Sequence, residues 1–586
     1  MSRLLLAFLL VGCRASVTDP TDSDVDTGDT DTDTGDTDTG DTDTGDTDTG
    51  DTDTDTDTDT DLDTAVDPGP PIFPSTVDRV TVTVRTKTTA FSDSDDQRIQ
   101  LCLAEDRCVS LVTKDVSDMR RGQVDVYHRA GFDLPRADID RVQLRTTDGG
   151  NQWEPACLQV SLDGEPVYCR DDLSFELGKG RGEVLSWSDE AGLGGSTCTT
   201  CEPRGTLTHG PMVGATGPDH ASIWLRTDAT RRVGLRMSRD ADLSEAPVVA
   251  WAYPGPEHDF TAQLEVDGLT PDTLWHYGIE LDGVLVHEAA LRTPPSKPGR
   301  TTLALGSCAK DEDQPIFEAI DAVEPDVMVF LGDNHYGNTD DLASHRWFYR
   351  WTAERPPRAA LLDHVATVST WDDHDFVGDN TDGRDAGGDV ALTAFREFWA
   401  NPTYGTKKGP GAYTRYRWND VELFLLDGRT WRHVDGFLGT EQTAWLLKAL
   451  QDSDATFKLV ATGSQWSETG SDDSWAAFLD ERDALFDAFE DADIDGLVLV
   501  SGDIHRSEFR WVERDRGYDL PEITASPIAT FRSICFGGTV ACYAGGNSFV
   551  VVDVDTADPD PTLTARILDR DGDEHGWWRI RASSLR

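Results

Sequence analysis

The sequence predicts a multidomain chain in which two all-β sandwich domains and a disordered acidic linker precede a layered α/β domain. Three observations lead to this fold class. Beyond residue 300, apolar strands that end at polar clusters alternate with amphipathic helices. Between about 77 and 293, short segments of alternating polarity are separated by turn residues. Before residue 67, an Asp-Thr-Gly repeat carries almost no apolar side chains, so it cannot form a packed core.

The charge of the chain excludes one large class of function. The 586 residues include 52 Lys plus Arg and 109 Asp plus Glu, which gives a formal charge of −57. Nucleic-acid binding depends on cations that neutralise phosphates, and this surface lacks them, so we expect no nucleic-acid-binding surface. The 38% of apolar residues, with 17 Trp, still supports a large buried core.

The N-terminus predicts export. Residues 1–12 combine a short basic start with an apolar run, Leu4–Val11, that is too short to span a bilayer. The following Leu10-Val11-Gly12-Cys13 resembles a bacterial lipoprotein signal, in which cleavage leaves Cys13 for lipidation. An ordinary secretory signal with a chance cysteine is the alternative. We expect a lipid-anchored protein at the bacterial cell envelope or cell surface, where disulfides persist.

Residues 13–75 predict a disordered tether. Residues 17–67 contain 21 Asp and no Lys, Arg or Glu, and such like charges repel along a chain. The segment would hold the folded part away from the membrane. Calcium binding by the Asp-rich repeat is the alternative, although the repeat lacks the apolar position of a stacked calcium-binding roll.

Residues 76–190 predict the first β-sandwich. Its predicted strands are Val80–Val84, Arg98–Leu103, Gln123–Tyr127, Arg141–Arg145 and Cys157–Val160. The Thr81–Thr86 strand, the Asp-rich turn Ser92–Asp96, Gly131–Leu134 and Trp153 before the last strand resemble a PLAT domain. That resemblance implies a module facing a partner or a lipid, and a sandwich of no known family is the alternative.

Residues 203–296 predict a second, fibronectin- or immunoglobulin-like β-sandwich. The segment Leu269–Tyr277 joins a Thr-Pro-Asp turn to an aromatic strand, and it resembles the tyrosine-corner region of such sandwiches. We therefore expect Tyr277 to be a structural anchor.

Residues 300–586 predict the α/β domain. The predicted strands are Thr302–Leu305, Val327–Leu331, Val365–Thr370, Glu422–Leu426, Lys458–Thr462 and Leu497–Val500. The predicted helices are Pro315–Val323, Val390–Trp399, Glu441–Gln451 and Ser474–Ala492. In such domains ligands gather beyond the carboxyl ends of the strands.

Polar clusters follow these strands one after another. They are Gly306-Ser307-Cys308, Gly332-Asp333-Asn334-His335-Tyr336, Trp371–Asp375 with Asp379-Asn380, Asp427-Gly428-Arg429, and Ser501–His505. Carboxylates and Tyr are hard metal ligands, whereas Cys and His are softer, so the clusters predict a metal site for more than one kind of ion.

These motifs, in this order over residues 205–550, resemble the PhoD-like alkaline phosphatase family of calcineurin-type metallophosphoesterases. The resemblance implies a site that holds ferric iron and calcium. Cys308, Asp333, Tyr336 and His505 would surround the iron, with Asp333 as the bridge. Asp373 and Asp503 would face the calcium, with Asn380 there too, although the choice between Asp379 and Asn380 is open. Gly428 departs from the Thr that is common in the family.

The resemblance also implies phosphate-ester hydrolysis by a hydroxide that the metals activate. His374 would protonate the leaving oxygen or hold the phosphate. Arg429 would neutralise the equatorial oxygens, with a surface salt bridge as the alternative. Asp372 and Asp375 would orient their neighbours or ligate, and His335 is expected to be a turn side chain.

The ten cysteines agree with an exported metalloprotein. Without Cys13 and Cys308, eight remain in close pairs, namely Cys102 with Cys108, Cys157 with Cys169, Cys198 with Cys201, and Cys535 with Cys542. Eight cysteines allow 105 connectivities, so pairing by proximity is a hypothesis.

The sequence therefore predicts an exported, membrane-tethered, metal-dependent phosphatase or phosphodiesterase whose substrate is a phosphate ester. A phospholipase-D-like diesterase acting on lipids and a surface adhesin are the alternatives.

Overall fold

The computed structural model describes residues 207–586 except 229, 231, 282, 311–313, 434–435 and 468–472. It also describes nine segments of the first β region: 76–77, 80–86, 99–105, 107–111, 124–129, 132–146, 155–163, 165–170 and 186–189. The predicted signal peptide, Cys13, the tether, Trp153 and the Cys198 and Cys201 pair lie outside the described residues. Within the described part of the chain, no helix has the length and apolar character needed to cross a membrane.

The first β region pairs its strands into two four-stranded sheets and one two-stranded sheet. Its strands are β1 Thr76–Val77, β2 Val80–Thr86, β3 Ile99–Ala104, β4 Arg107–Ser110, β5 Val124–Arg129, β6 Leu134–Pro135, β7 Val142–Thr146, β8 Pro155–Leu162, β9 Glu165–Arg170 and β10 Ser186–Asp189. The sheet orders are β5-β2-β8-β9, β10-β7-β3-β4 and β1-β6. Alternate residues Val80, Val82 and Val84 enter a shared core, as the period of a strand requires. Cys102 and Cys108 form a disulfide, and Cys157 and Cys169 are also disulfide-bonded.

The second β region packs a three-stranded and a four-stranded antiparallel sheet around one core. Its strands are β11 Leu207–Thr216, β12 His220–Thr227, β13 Val233–Ser238, β14 Val248–Ala252, β15 Thr261–Asp267, β16 Leu274–Leu281 and β17 Val284–Arg292. The sheet orders are β11-β12-β15 and β14-β13-β16-β17.

The remaining strands build two mixed sheets. They are β18 Arg300–Gly306, β19 Val327–Leu331, β20 Ala366–Thr370, β21 Thr414–Trp418, β22 Val421–Leu425, β23 Phe457–Ala461, β24 Leu497–Ser501, β25 Ser507–Val512, β26 Leu520–Thr524, β27 Ala541–Tyr543, β28 Ser548–Asp555, β29 Thr562–Asp569 and β30 Glu574–Arg581. One sheet has the order β20-β19-β18-β28-β29-β30 and the other β21-β22-β23-β24-β26-β25-β27. The strands β18, β19 and β20 run parallel, as do β22, β23, β24 and β26.

Helices cover the outer faces of the two sheets. They are α1 Ile316–Asp321, α2 Leu342–Ala353, α3 Pro356–Leu362, α4 Asp373–Phe376, α5 Gly388–Phe398, α6 Thr440–Gln451 and α7 Leu479–Asp491. Apolar residues from both sheets, such as Val329 and Leu459, share one core. A second core joins α1, α3 and α5 to β18 and β19, and a third joins α6 and α7 to β22–β24. Because parallel strands end at the same edge, this layering brings the loops after β18, β19, β20 and β24 together.

Regions with a clear apolar period were predicted well, and those without it were not. The strand β19 has the bounds that the sequence predicts, and α6 begins one residue earlier than expected. The sequence did not predict α2, whose mixed Arg, Trp and Tyr content hides its period, or the antiparallel strands after residue 506. The antiparallel strands β28–β30 complete the first mixed sheet, so the chain's C-terminal part is essential to that sheet.

The second β region and the α/β region share buried hydrogen bonds. Trp224 Nε1 donates to Glu397 O at 2.7 Å, and the Tyr416 hydroxyl donates to Thr216 O at 2.8 Å. The Tyr277 hydroxyl donates to Asp363 O at 2.5 Å, just beyond the end of α3. Tyr277 is fully buried and therefore acts as an anchor between the two regions rather than within its own sandwich.

We expect Tyr277→Phe to lower the free energy of unfolding by about 1–3 kcal/mol, because the buried Asp363 carbonyl would lose its donor. Urea unfolding followed by tryptophan fluorescence measures this change. The matched variant Tyr416→Phe removes the second such contact, and the two losses should add because the sites share no partner. Full stability in Tyr277→Phe would contradict the anchor role.

Candidate metal centre

Four loops meet at the carboxyl edge of the parallel strands. Cys308 follows β18, Asp333 follows β19, Asp373 follows β20, and His505 follows β24. Backbone hydrogen bonds hold the loops against one another, since Cys308 N donates to Gly332 O at 3.2 Å and Ile528 N donates to Ser307 O at 2.8 Å. Residues that are far apart in sequence are thereby fixed at one place.

The backbone at this edge is unusual. Cys308, Asp333, Asn380, Asp503 and His505 all have positive φ, between 53° and 65°. Non-glycine residues seldom adopt this conformation, and it persists only where the surrounding structure enforces it. Five of the fourteen such residues in the described part of the chain lie at this edge, so the unusual backbone is concentrated among the residues that the sequence singled out.

The first group of candidate ligands contains Cys308, Asp333 and His505. The thiol, one carboxylate oxygen and one imidazole nitrogen lie within 4.8 Å of one another. The Tyr336 hydroxyl completes the group, because it donates to Asp333 Oδ2 at 2.9 Å and lies 3.3 Å from His505 Nε2. These are the four side chains that the sequence expectation assigns to iron.

The second group contains Asp333, Asp373 and His374, again with ligand atoms within 4.8 Å of one another. Asp333 belongs to both groups, so its carboxylate lies where it could bridge two cations. Asp373 accepts hydrogen bonds from the backbone N–H groups of His374 at 2.8 Å and Asn380 at 2.6 Å. These bonds fix the direction of its carboxylate.

The charge balance of the site favours bound cations. Burial raises the pKa of the Cys308 thiol and the Asp333 carboxyl, and in each case a neighbouring Asp raises it further. Burial and the Asp333 charge likewise raise the pKa of the Tyr336 hydroxyl. Burial alone would raise the pKa of the Asp373 carboxyl as well, but the nearby Arg429 charge, together with His374 and the Asn380 N–H, holds this pKa below its usual value. Without positive charge, these groups cannot all be anionic together.

An unsatisfied buried atom supports the same conclusion. In the described part of the chain, Asp333 Oδ1 is buried without a hydrogen-bond partner. A buried carboxylate oxygen that lacks a partner costs free energy, and a cation supplies that partner. The donor set of thiolate, phenolate, imidazole and carboxylate therefore fits a pair of metal ions.

His374 lies at the open side of the second group. Its Nδ1 donates to Asn338 Oδ1 at 2.6 Å, so the neutral ring presents Nε2 as its unprotonated nitrogen. The ring packs on Tyr336 with centroids 4.0 Å apart. Burial lowers the pKa of His374, which favours this neutral form.

The side chains of two expected calcium ligands, Asp503 and Asn380, are not among the clustered ligand atoms. The Asp503 carbonyl accepts from the Cys308 thiol at 3.5 Å, but among the described residues the Asp503 carboxylate belongs to neither group. Asn380 is exposed, and its side-chain amide donates to Asp379 Oδ2 at 3.1 Å. Its backbone N–H, rather than its side chain, contacts Asp373.

The position of Arg429 differs from the sequence expectation, which placed its guanidinium on the substrate. The side chain is completely buried. Its Nε donates to Asp372 Oδ1 at 2.6 Å, and its terminal nitrogens bind Asp473 at 2.7 and 3.0 Å, with Ser464 and Thr381 O as further acceptors. All five N–H groups of the guanidinium donate to protein acceptors, so none is left for a phosphoryl group. These acceptors are distant in sequence, so the sequence alone could not show this arrangement.

Asp372 and Asp375 orient their neighbours, one of the two roles left open by the sequence. Asp375 accepts from the backbone N–H groups of Asp372, Asn334 and His335 at 2.8–3.3 Å. A Cβ atom on Gly332 or Gly463 would lie within 2.8 Å of Asp372 atoms, so only glycine permits this close packing. The loop that carries Asp373 is thereby locked to two neighbouring strand ends.

Two residues near the site differ from, or are missing in, the sequence expectations. His335 is fully buried and packs edge-on against Tyr349, with centroids 4.4 Å apart, rather than being a surface turn residue. Lys310 was not singled out, yet its exposed ammonium lies over the Tyr336 ring at 5.3 Å from the centroid. Its position two residues after Cys308 was the signal that could have identified it.

Comparisons with known proteins agree with this description. Residues 303–533 match the family model described as PhoD-like phosphatase, and residues 204–298 match a domain of unknown function, DUF7800. These matches correspond to the α/β region and the second β region. No curated protein matches the chain.

Solved structures with similar folds include phosphatases. The structure of PhoD is 17% identical, covers 65% of this chain and 92% of its own, and has a TM-score of 0.54. The purple acid phosphatase PPD1 from yellow lupin (Lupinus luteus) seeds is 12% identical, covers 86% of this chain and 90% of its own, and has a TM-score of 0.49. Together with the fold of PhoD, the family match shows that the chain carries a PhoD-like metallophosphoesterase domain and is a phosphoric ester hydrolase.

Proposed function

We propose that this protein is an exported, membrane-tethered phosphatase or phosphodiesterase whose active site is the pair of ligand groups joined by Asp333. The shared carboxylate carries the proposal, because it gives two cations a common ligand. When bound, such a pair supplies Lewis acidity that polarises a phosphoryl oxygen and lowers the pKa of water. Iron at the Cys308 group and calcium at the Asp373 group are the ions that we propose from the family resemblance and the donor chemistry.

The ligand assignment follows the geometry of the two groups. Cys308, Tyr336 and His505 would hold one cation together with Asp333, and Asp373 would hold the other. We keep Asp503 and Asn380 as proposed ligands of the second cation.

His374 is the proposed proton donor to the leaving oxygen. Its Nδ1 proton is engaged by Asn338, so Nε2 is the nitrogen that would first take up a proton from solvent and then release it to the leaving oxygen. Packing against the tilted Tyr336 ring and the hydrogen bond to Asn338 restrict the imidazole plane and therefore the direction in which Nε2 points. The partly exposed position of His374 leaves room for a substrate oxygen beside it.

Lys310 is the proposed cation for the substrate's phosphoryl oxygens, in place of Arg429. Its ammonium is exposed beside the Tyr336 ring, and its positive charge helps to lower the pKa of both His374 and His505. Arg429 would act as a positioning residue, because it binds the carboxylate of Asp372, the residue that precedes the proposed ligand Asp373 in the sequence.

Export and tethering rest on the sequence of residues 1–75. The lipoprotein-like signal ends at Cys13, and the Asp-Thr-Gly repeat that follows would keep the enzyme at a distance from the membrane surface. Disulfides in the described residues, including Cys102–Cys108 and Cys535–Cys542, are consistent with an oxidising compartment. Cys308 is the free thiol in that part of the chain, as a ligand requires.

We expect Asp333→Asn to reduce bound metal from two ions per chain to at most one and to lower kcat/KM by at least about 100-fold, because Asn is a neutral and weaker ligand. Elemental analysis and phosphate release measure the two effects. The control Asp326→Asn changes a carboxylate at the opposite end of β19, where it accepts from Thr302 N, and should retain both. Full metal content in Asp333→Asn would refute the bridging role.

We expect Lys310→Met to raise KM about 10–100-fold, since a charge-assisted hydrogen bond to phosphate would be lost. Because Lys310 is exposed, the midpoint of urea unfolding should stay unchanged. Lys448→Met, which removes an exposed lysine paired with Asp452 on α6, is the matched control and should leave KM unchanged. An unaltered KM in Lys310→Met would remove Lys310 from the site.

We expect Cys13→Ser to move the protein from the membrane fraction to the soluble fraction of a bacterial host and to abolish incorporation of labelled palmitate. The reason is that lipidation requires the thiol. Ser16→Ala, three residues further on, should retain both. Palmitate labelling that persists in Cys13→Ser would show that the anchor lies elsewhere.

A further inference from the structure

A short segment near the metal centre exposes large apolar side chains. Phe531 is 67% exposed, Ile534 64%, Phe536 49% and Val540 46%. These four residues, called the apolar lip below, supply four of the ten large apolar side chains that the described residues expose. Single exposed apolar residues are ordinary on a protein surface, but four within ten positions concentrate exposed apolar side chains in one segment.

The apolar lip is held in place by its surroundings. A disulfide joins Cys535 to Cys542 across it. Ser533 N donates to His505 O and Val540 N donates to Phe509 O, both at 2.8 Å, and Arg510 donates to Gly537 O at 3.2 Å. The exposure of the lip is therefore built into the fold, because its backbone is anchored at both ends and in the middle.

The apolar lip begins at the metal centre itself. The Phe531 ring lies edge-on to His505, with centroids 4.4 Å apart. Two residues earlier, Ala529 N donates to Cys308 O at 3.0 Å, and Ala529 O accepts from Lys310 N at 2.8 Å. A phosphate ester whose phosphoryl group lies at the ligand groups would extend one of its substituents along Phe531.

Two of the three arginines at the apolar lip are paired with a carboxylate inside the protein, and the third, the exposed Arg532, donates to Gly545 O. Arg506 and Arg510 lie beneath it, but both bind Glu508, with Arg506 Nε at 2.6 Å and Arg510 Nε at 2.5 Å from its carboxylate oxygens. Their charge is thus partly neutralised inside the protein. The net charge of the whole chain, −57, opposes anionic surfaces and polyanions.

We propose that the apolar lip is a subsite for the apolar alcohol portion of the substrate, so that the enzyme prefers phosphate esters of hydrophobic alcohols. This inference rests on the proposed phosphatase function and adds the substrate class. Each methylene that leaves water on the lip favours binding, so affinity should rise with the length of the alkyl chain. A partner protein would instead cover the lip irrespective of the ligand at the metal centre.

The test compares the affinities of octylphosphonate and ethylphosphonate for the metal-loaded enzyme by titration calorimetry, with octylphosphonate kept monomeric. The P–C bond resists hydrolysis, so the measurement does not depend on turnover. We expect octylphosphonate to bind at least about tenfold more tightly than ethylphosphonate, the gain expected when about two of its six additional methylenes leave water. In the double variant Phe531→Ser and Ile534→Ser, the ratio should fall below about threefold. Both residues are exposed, so the variant should fold.

The control is the double variant Val284→Ser and Trp577→Ser, which removes equally exposed side chains elsewhere and should keep the tenfold ratio. A ratio near one in the parent, the parental ratio in the lip variant, or no binding of either phosphonate would overturn the inference. So would a lip variant that loses binding to phosphatidylcholine vesicles while its chain-length ratio is unchanged, because the lip would then be a membrane contact.

Hydrolysis of ethyl phosphate and of ethyl p-nitrophenyl phosphate, measured in parallel, tests the proposed function separately. If either ester is hydrolysed but octylphosphonate binds no more tightly than ethylphosphonate, only the apolar subsite is contradicted. A chain-length preference in binding without turnover of either ester would contradict the proposed phosphatase activity and leave the subsite as a binding property.

Discussion

The ion pairs of the buried Arg429 guanidinium are the interaction on which the candidate metal centre depends. Several carboxylates meet at one sheet edge, where burial raises the pKa of Asp372 to about 7. Arg429 binds Asp372 and Asp473 and is itself completely buried. Removing one partner of such a network leaves an uncompensated buried charge, which costs about 3–5 kcal/mol. The loop that carries Asp373 therefore keeps its place because this cation is fixed beside it.

This structural use of Arg429 has a consequence for catalysis. A cation that is saturated by protein acceptors cannot also bind a substrate phosphate, so the positive charge for the phosphoryl group has to come from elsewhere. Bound metal ions and the exposed Lys310 are the proposed sources. The division is physically reasonable, since a buried guanidinium fixes geometry whereas an exposed ammonium can adapt to a ligand.

The sequence predicted which strand ends meet at the candidate site better than it predicted the contacts of individual side chains there. Cys308, Asp333, Asp373 and His505 lie close together as expected, because each follows a buried strand and parallel strands bring such positions to one edge. Arg429 was misplaced because its position after β22 looks like those of the ligands, although its side chain turns to Asp372 and Asp473. The apolar lip was not predicted, because exposed and buried Phe or Ile look alike in a sequence without a clear period.

The sequence by itself determined the alternation of strands and helices between residues 300 and 500, the donor types and the resemblance to the PhoD-like family, because these depend on local pattern and residue chemistry. Only the tertiary structure decided that Arg429 is used up by Asp372 and Asp473, that Tyr277 anchors two regions, and that Phe531 lies against His505. Those facts depend on distances between residues far apart in the chain. Such distances follow from how sheets and loops pack, which no local pattern records.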